Sequence, residues 1–411
     1  MTRYGDRAGV VIIGAGHAGY QAAESLRQEG YEKPITLISD ESHLPYHRPP
    51  LSKNYLLGET DEERLRFRSL DYYSEQGIEL LLGVKALRID RENGYVLLDD
   101  DREIFYADLV LATGARVRRL SVPGTQYKGV YYLRALDDIK PIETCLKSAR
   151  NVVIIGAGFI GLEFAAVARK LEKSVTILEV SSRVLARAVS PQLSKYFSIL
   201  HQSEGVEIVC EVEVSEIIGD HKHVTAVMCT NGKKYSADLV VIGVGVIPNI
   251  ELAEGAGLNC NNGIFIDEHG RTEDAHIYAV GDCAAYQHPF AGKLVRLESV
   301  QNANDQGRSA AAAIANKPKP YESIPWFWSI QYKIRLQMVG LYDGCDQTVI
   351  RGHIDTNKFA LFHYREQELR AVHAVNRPAD YIISRKLLTA GVSPRPEQVG
   401  DATYDLKKLI A

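Results

Sequence analysis

The chain has 411 residues, 45% of them hydrophobic and 24% charged, with a formal net charge of −4. That length exceeds what one hydrophobic core serves, so two or three globular domains are expected. The slightly acidic balance argues against a nucleic-acid binder, and no apolar run of about eighteen residues offers a membrane span, so a cytoplasmic protein is expected. The six cysteines, Cys145, Cys210, Cys229, Cys260, Cys283 and Cys345, are scattered with no Cys-x-x-Cys pair. That spacing signals neither a metal site nor a disulfide framework, and buried free thiols are the simpler reading.

The first predicted element is the apolar strand Val10 to Ile13, followed at once by Gly14-Ala-Gly16-His-Ala-Gly19 and a helical pattern. Strand, G-x-G-x-x-G and helix in that order form a phosphate cradle. The first glycine permits the turn, the second lets backbone approach a pyrophosphate, and the third lets helix pack on strand. Next comes the strand Ile35 to Ile38, where Ser39 takes the position of the usual ribose-binding acid and Asp40 stands one residue later. Tyr106 to Ala115 is a further strand ending in the small-residue turn Thr113-Gly114.

The whole pattern then repeats. Val152 to Ile155 leads into Gly156-Ala-Gly158-Phe-Ile-Gly161, and the following strand Val175 to Leu178 runs directly into Glu179. A carboxylate there accepts from both ribose hydroxyls of NADH and repels the extra phosphate of NADPH; Arg183, four residues on, could soften that repulsion. Tyr235 to Gly245 matches the Tyr106 to Ala115 run, and the two loops lie 142 residues apart. A spacing that long fits a duplicated domain and is too long for a solenoid repeat. Two cradles imply two dinucleotides, with electrons passing between them. Ile277 to Asp282 reads as another strand ending in Gly-Asp, and Asn302 to Ala315 as a helix. From about Pro325 strands take over, including Lys358 to Arg365 and Leu369 to Val375, before a helix over Arg377 to Ala390.

Several stretches together resemble the FAD-dependent, NADH-using ferredoxin reductases that serve oxygenases, within the pyridine nucleotide-disulfide oxidoreductase superfamily. They are Pro45 to Lys53 (Pro-Tyr-His-Arg-Pro-Pro-Leu-Ser-Lys), Leu109 to Gly114, Gly156 to Glu163, Ala279 to Ala284, Arg296 to Val300 and Pro325 to Ser329. The resemblance implies an α/β fold: two Rossmann-like dinucleotide-binding domains arranged as in glutathione reductase, plus a C-terminal α+β domain. The implied boundaries are 1–115 and 246–325 for a discontinuous FAD domain, 116–245 for the NAD domain and 326–411 for the tail. Implied FAD contacts are Gly14, Gly16, Ala18, Gly19, Asp40, Arg48, Lys53, Ala86, Thr113, Gly114, Arg134, Asp282, Val300 and Trp328. Asp282 would reach the ribityl or pyrophosphate side, with Cys283 and Ala284 opening a helix there. Implied NAD contacts are Gly156, Gly158, Phe159, Ile160, Gly161, Glu163, Glu179 and Gly245.

The resemblance further implies that Lys53 lies near the flavin ring, paired with Glu163, as the two catalytic residues. It implies a [2Fe–2S] ferredoxin as electron acceptor, with Trp326 and Trp328 on an exit face, or alternatively in interdomain core. Arg64, Arg66, Arg68, Arg116, Arg118, Arg119, Lys333 and Arg335 are candidates for a basic docking patch. Ile330 departs from the acid common in the family after Trp-Phe-Trp-Ser, which bears on partner choice. Disulfide, peroxide and coenzyme A-disulfide reductases of the same fold need a redox cysteine beside the flavin, and the loop Ser39 to Lys53 contains none. The other reading is a flavoprotein switch resembling apoptosis-inducing factor, which shares the Arg48 to Lys53 stretch. Nothing in the sequence marks an oligomeric interface.

Overall fold

The fold is described from a computed structural model, over residues 9–410. The chain forms two compact units, each assembled from separated segments. The first comprises the residues up to His47, Glu62–Arg116 and Ile247–Pro325; the second comprises Arg48–Asp61, Val117–Val246 and the residues from Trp326 onward. The stretch Arg48–Asp61, placed by the sequence with residues 1–115, thus packs within the second unit.

In the first unit the strands Ile78–Leu82, Ile35–Ser39, Gly9–Ile13 and Glu103–Leu111 lie side by side, and Ile277–Ala279 adds to Glu103–Leu111. All these pairings are parallel, with Val10 opposite Ile35, Ile13 opposite Leu111 and Ile277 opposite Leu109. Gly9–Ile13 and Ile35–Ser39 are buried at every position, which is why both read as unbroken apolar runs instead of alternating ones. Parallel register brings the carboxyl ends of the strands to one edge, where open α/β sheets bind ligands. Gly14, Ser39, Ala112 and Val280 follow or close those ends.

The helix His17–Gln28 leaves the first glycine loop and packs along Val300–Ile314. Small residues set that spacing: a Cβ on Gly307 would sit 2.8 Å from the Ala18 carbonyl oxygen, and one on Gly281 would sit 2.9 Å from the Ala18 Cβ. Ser299 caps the second helix by accepting from the Asn302 amide. One expectation fails here. Cys283 and Ala284 do not open a helix; Gly281–Cys283 is a single 3₁₀ turn that runs directly into the strand Ala284–His288, and the next helix starts at Val300. Ala284 to His288 is buried except at Gln287, so its apolar surface is satisfied by sheet packing.

In the second unit the strands Val206–Val209, Ser174–Leu178, Asn151–Ile155, Leu239–Ile242 and Val130–Tyr132 form a five-stranded parallel sheet. Its carboxyl edge carries Gly156, Glu179 and Gly243. The same unit holds a three-stranded antiparallel sheet, Val214–Asp220, His223–Cys229 and Lys234–Ser236. The tail adds five antiparallel strands in the order Trp326–Gln331, Ile334–Gly340, Glu368–Val375, Lys358–Arg365 and Gln347–His353, with the helix Pro378–Thr389 against them. Trp326–Gln331 turns back into Ile334–Gly340 through only Tyr332 and Lys333.

Candidate functional site

The two glycine loops have the same steric anatomy. In the first, Gly14 has φ of +107° and a Cβ there would lie 2.2 Å from the Ala112 carbonyl oxygen, while a Cβ on Gly19 would lie 1.8 Å from the Gly14 oxygen. In the second, Gly156 has φ of +105° and its Cβ would meet the Gly243 oxygen at 2.4 Å; that of Gly161 would meet the Gly156 oxygen at 2.2 Å. Packing alone therefore dictates the outer glycines. The middle ones differ: added Cβ atoms on Gly16 and Gly158 would meet nothing within 4 Å. Each middle glycine keeps clear the space over a helix N-terminus that has no side-chain cap. The helices starting at His17 and Phe159 carry no acid in their first turns, so their uncapped amides and positive dipole ends suit a pyrophosphate. Both loops fit the dinucleotides the sequence implies.

Around the first loop, Thr113 Oγ1 donates to the Asn249 carbonyl at 2.6 Å and Asn249 Nδ2 donates to the Thr113 carbonyl at 2.9 Å. That clamp fixes the turn Thr113-Gly114 against the returning segment. Ser39 is buried and its hydroxyl accepts from the Glu41 amide, while Asp40 is exposed at the strand end. Ala86 is buried on its strand, and Val300 is the first residue of its helix. Asp282 lies in the 3₁₀ turn, where its carbonyl accepts from Arg296 Nη1 at 3.0 Å; the Gly281 amide donates to Gln306 Oε1 at 2.8 Å. Neither Arg296 nor Gln306 carries a signal of its own in the sequence, although Arg296 opens the stretch Arg296 to Val300.

In the second unit, Glu179 reaches back over the loop. Its Oε2 accepts from the Ala157 amide and its Oε1 from the Ser181 amide, both at 2.7 Å. Arg183 is turned away, donating to the carbonyls of Val189 and Ala186, so it leaves Glu179 uncompensated. Gly245 has φ of +108°. Phe159 packs against Phe327 with centroids 4.6 Å apart, and Ile160 stands 44% exposed at the start of the helix. Trp328 lies half-buried beside Trp326, with centroids 5.6 Å apart, and Arg385 covers the face of Trp326.

The centre of the second unit is Glu163, one turn into the helix Phe159–Lys170. It is buried, and a buried carboxylate demands donors. Lys53 Nζ lies 2.5 Å from Glu163 Oε2, Ser52 Oγ donates to the same oxygen at 2.8 Å, and Ser329 Oγ donates to Oε1 at 2.7 Å. The loop supplying Lys53 and Ser52 is a proline-led 3₁₀ turn, Pro49–Ser52, whose Pro49 carbonyl also accepts from Lys53 Nζ at 3.1 Å. Arg48 Nη1, at the head of that turn, donates to the Arg134 carbonyl at 3.1 Å. The pairing of Lys53 with Glu163 was legible through family resemblance; the two serines were not, although both stand in quoted motifs.

The cationic candidates are largely neutralised where they stand. Arg68 pairs with Glu24 at 2.8 Å, Arg116 with Glu251 at 2.7 Å and Arg66 with Glu62 at 3.8 Å, while Arg119 covers Tyr132. Lys333 and Arg335 are exposed around the Tyr332 turn. All six cysteines are free, but only Cys229 and Cys283 are buried; the other four are half-buried, which corrects the expectation that all would be. Burial raises each of the six thiols above its ordinary pKa, so none has the thiolate character of a redox cysteine. Among the described residues no helix is long and apolar enough to cross a membrane, and no group of three metal-ligating side chains occurs.

Two phosphate cradles at the carboxyl edges of two parallel sheets define an oxidoreductase of the two-dinucleotide class. Residues 8–307 match the family described as pyridine nucleotide-disulphide oxidoreductase, and residues 326–410 match the reductase C-terminal family. Rhodocoxin reductase of Rhodococcus erythropolis is 46% identical over 98% of this chain and 94% of its own length. Putidaredoxin reductase CamA of Pseudomonas putida is 42% identical over 98% of this chain and 96% of its own. The crystal structure of the ferredoxin reductase for the CYP199A2 system from Rhodopseudomonas palustris superposes with a TM-score of 0.96 at 46% identity, covering 98% of this chain and 99% of that one. The covalent putidaredoxin reductase–putidaredoxin complex gives a TM-score of 0.96 at 41% identity, covering 99% of both chains. The chain belongs to the pyridine nucleotide-disulphide oxidoreductase family and is a flavoprotein that uses FAD and NAD(H).

Proposed function

We propose that the protein is an NADH-dependent ferredoxin reductase, delivering electrons one at a time to a [2Fe–2S] ferredoxin that feeds a monooxygenase or dioxygenase. The observation that carries this reading is the pairing of the half-buried Lys53 with the buried Glu163, in a chain whose loop from Ser39 to Lys53 lacks any cysteine. FAD would supply the hydride-accepting and single-electron-releasing chemistry between NADH and an acceptor. The relatives named above as reductases of rhodocoxin, putidaredoxin and a CYP199A2 ferredoxin support the same acceptor class.

In this reading the first unit holds FAD. Gly16 leaves room for its pyrophosphate in the loop that Gly14 and Gly19 shape, Asp40 meets a ribose and Asp282 meets the ribityl side. Ala18 and Gly281 let the helix and the 3₁₀ turn come close enough to close that cradle. The segment 116–245 holds NADH through Gly156, Gly158 and Gly161, with Phe159, Ile160 and Gly245 beside the nicotinamide end. Glu179 selects NADH: its two oxygens are oriented by the Ala157 and Ser181 amides toward the ribose position. Lys53 supplies a fixed cation and Glu163 fixes Lys53. No side-chain acid or nucleophile is required of the residues, whose work is to orient, exclude water and hold charge.

The test is NADH-driven reduction of cytochrome c by the purified protein, with and without a panel of [2Fe–2S] ferredoxins. A rate that rises severalfold with one ferredoxin is the expected result. Equal rates with every ferredoxin and with none, together with a long-lived NADH charge-transfer band, would overturn it in favour of a flavoprotein switch.

A further inference from the structure

The strand Trp326–Gln331 breaks the rule for a half-buried strand. Ser329 and Gln331, two residues apart, face inward and are each 1% exposed, while Ile330 between them faces outward at 44%. Polar side chains turned inward and an apolar one turned outward cost stability unless every inward group finds a partner. Here each does. Gln331 Nε2 lies 3.1 Å from Ser329 Oγ, Gln331 Oε1 lies 2.8 Å from His201 Nε2, and His201 Nδ1 lies 3.1 Å from the Tyr332 hydroxyl. His201 comes from a different element, the helix Pro191–Ser203, and is fully buried.

The direction of every bond in this chain follows from its end. Glu163 Oε1 can only accept, so Ser329 donates to it. Ser329 then has only lone pairs left for Gln331, which must present its amide nitrogen. The Gln331 oxygen therefore faces His201, whose Nε2 carries the proton, and His201 Nδ1 accepts from Tyr332. Burial lowers the His201 imidazole to about 4, so it stays neutral and holds that one tautomer at physiological pH. Arg169 and Glu204 are the charged groups whose fields reach Tyr332 at the far end.

A second observation points the same way. Tyr332 sits at φ of +54° in the two-residue turn, a left-handed conformation that suits Gly or Asn and penalises an aromatic residue. Backbone strain of this kind persists where surrounding structure gains from it. What Tyr332 contributes, and Gly or Asn could not, is a ring packed 5.0 Å from His201 and a hydroxyl on its Nδ1.

We propose that Ser329, Gln331, His201 and Tyr332 are positioning residues, a one-way hydrogen-bond relay that aims the Glu163 carboxylate at Lys53 and so sets the rate of hydride delivery from NADH. The relay rests on the reading of Lys53 and Glu163 given above. It makes residues 329–332 of the reductase C-terminal segment part of the NADH half-reaction, in addition to any part in docking a ferredoxin.

The experiment is stopped-flow reduction of the FAD-loaded enzyme by NADH in Ser329→Ala, Tyr332→Phe, Glu163→Gln and the double variant Ser329→Ala/Glu163→Gln. Ser329→Ala is expected to lower the limiting rate about tenfold, the scale of one hydrogen bond to a charged group. Tyr332→Phe, which keeps the ring on His201, lowers it about threefold, since the bond lost is neutral and three links away. NADH affinity stays within about twofold in both, as expected for a loss confined to the transition state. In the double variant the Ser329→Ala change has no further effect, because the acceptor it serves is already altered. Wild-type reduction rates in both Ser329→Ala and Tyr332→Phe, alongside a slow Glu163→Gln, would overturn the relay and leave the Lys53–Glu163 reading intact. A wild-type rate in Glu163→Gln would overturn both.

Discussion

At the scale of single residues, the proposed function rests on side chains that packing does not require. Lys53 is the clearest. Its ammonium is held by Glu163 and by the Pro49 carbonyl, so replacing it removes a charge and leaves a buried carboxylate with only its two serine donors. Lys53→Ala is expected to slow flavin reduction by NADH at least tenfold while FAD is retained through gel filtration. Unchanged stopped-flow traces would refute that role. Glu179 is the second such residue: Glu179→Gln keeps the acceptor for the Ala157 or Ser181 amide but removes the charge that repels a 2′-phosphate. It should narrow the preference for NADH over NADPH by about tenfold in kcat/KM. Both residues were legible in the sequence, Glu179 from its place after a strand and Lys53 through the Arg48 to Lys53 stretch. Ser52, His201, Gln331 and Tyr332 were not singled out, because a buried polar side chain is recognised by what it touches, and no local spacing encodes partners more than a hundred residues away.

At the scale of elements, the glycine loops separate folding from binding within six residues. Gly161→Ala forces a Cβ to 2.2 Å from backbone oxygen, whereas Gly158→Ala meets no atom within 4 Å. The first variant should lose several kcal/mol of stability through overpacking against rigid backbone, and the second should fold normally yet bind NADH at least tenfold more weakly. Thermal melts and NADH titration of the two proteins read the difference directly. The tail sheet carries another test. His363 and His373 lie buried with His363 Nε2 3.2 Å from His373 Nδ1, and Thr348 Oγ1 bonds the other nitrogen of His363 at 2.9 Å. Burial, reinforced by its neighbour, lowers His363 to about 2, and burial lowers His373 to about 3. In the unfolded chain both titrate near about 6.5, so below that pH the unfolded state binds more protons and stability falls. Each imidazole contributes a slope of up to about 1.4 kcal/mol per pH unit between roughly pH 6.5 and 3. Tm should drop steeply from pH 7 to pH 5, and less steeply in His373→Gln. The strand, loop and helix positions were legible from apolar runs and glycines. The error at Cys283 and Ala284 arose because Gly-Asp followed by small residues suits a helix start and a 3₁₀ turn into a strand equally well.

At the scale of the whole molecule, the duplication was legible because complete strand, loop and strand units recur, with the glycine loops 142 residues apart. Sequence periodicity could not show which segments cluster, and Arg48–Asp61 packs with the second unit although it precedes most of the first in the chain. Net charge is equally blunt: a total of −4 coexists with Lys333 and Arg335 exposed around a single turn. If an acidic ferredoxin docks by charge, kcat/KM for the ferredoxin should fall severalfold between about 50 and 300 mM salt while direct reduction of the flavin by NADH stays constant. A flat profile would place recognition on apolar contact instead.

The alternation along Ser329, Ile330 and Gln331 bears on how such reductases diversify. Adjacent residues of one strand point to opposite faces, so on the proposed reading the outward position can drift to suit a new electron acceptor while the inward pair stays fixed for NADH. Partner exchange by substitution at position 330 should therefore leave the reductive half-reaction intact. The same pleat forbids adaptation by insertion: one added residue in this strand would turn Ser329 or Gln331 outward and Ile330 inward toward Glu163.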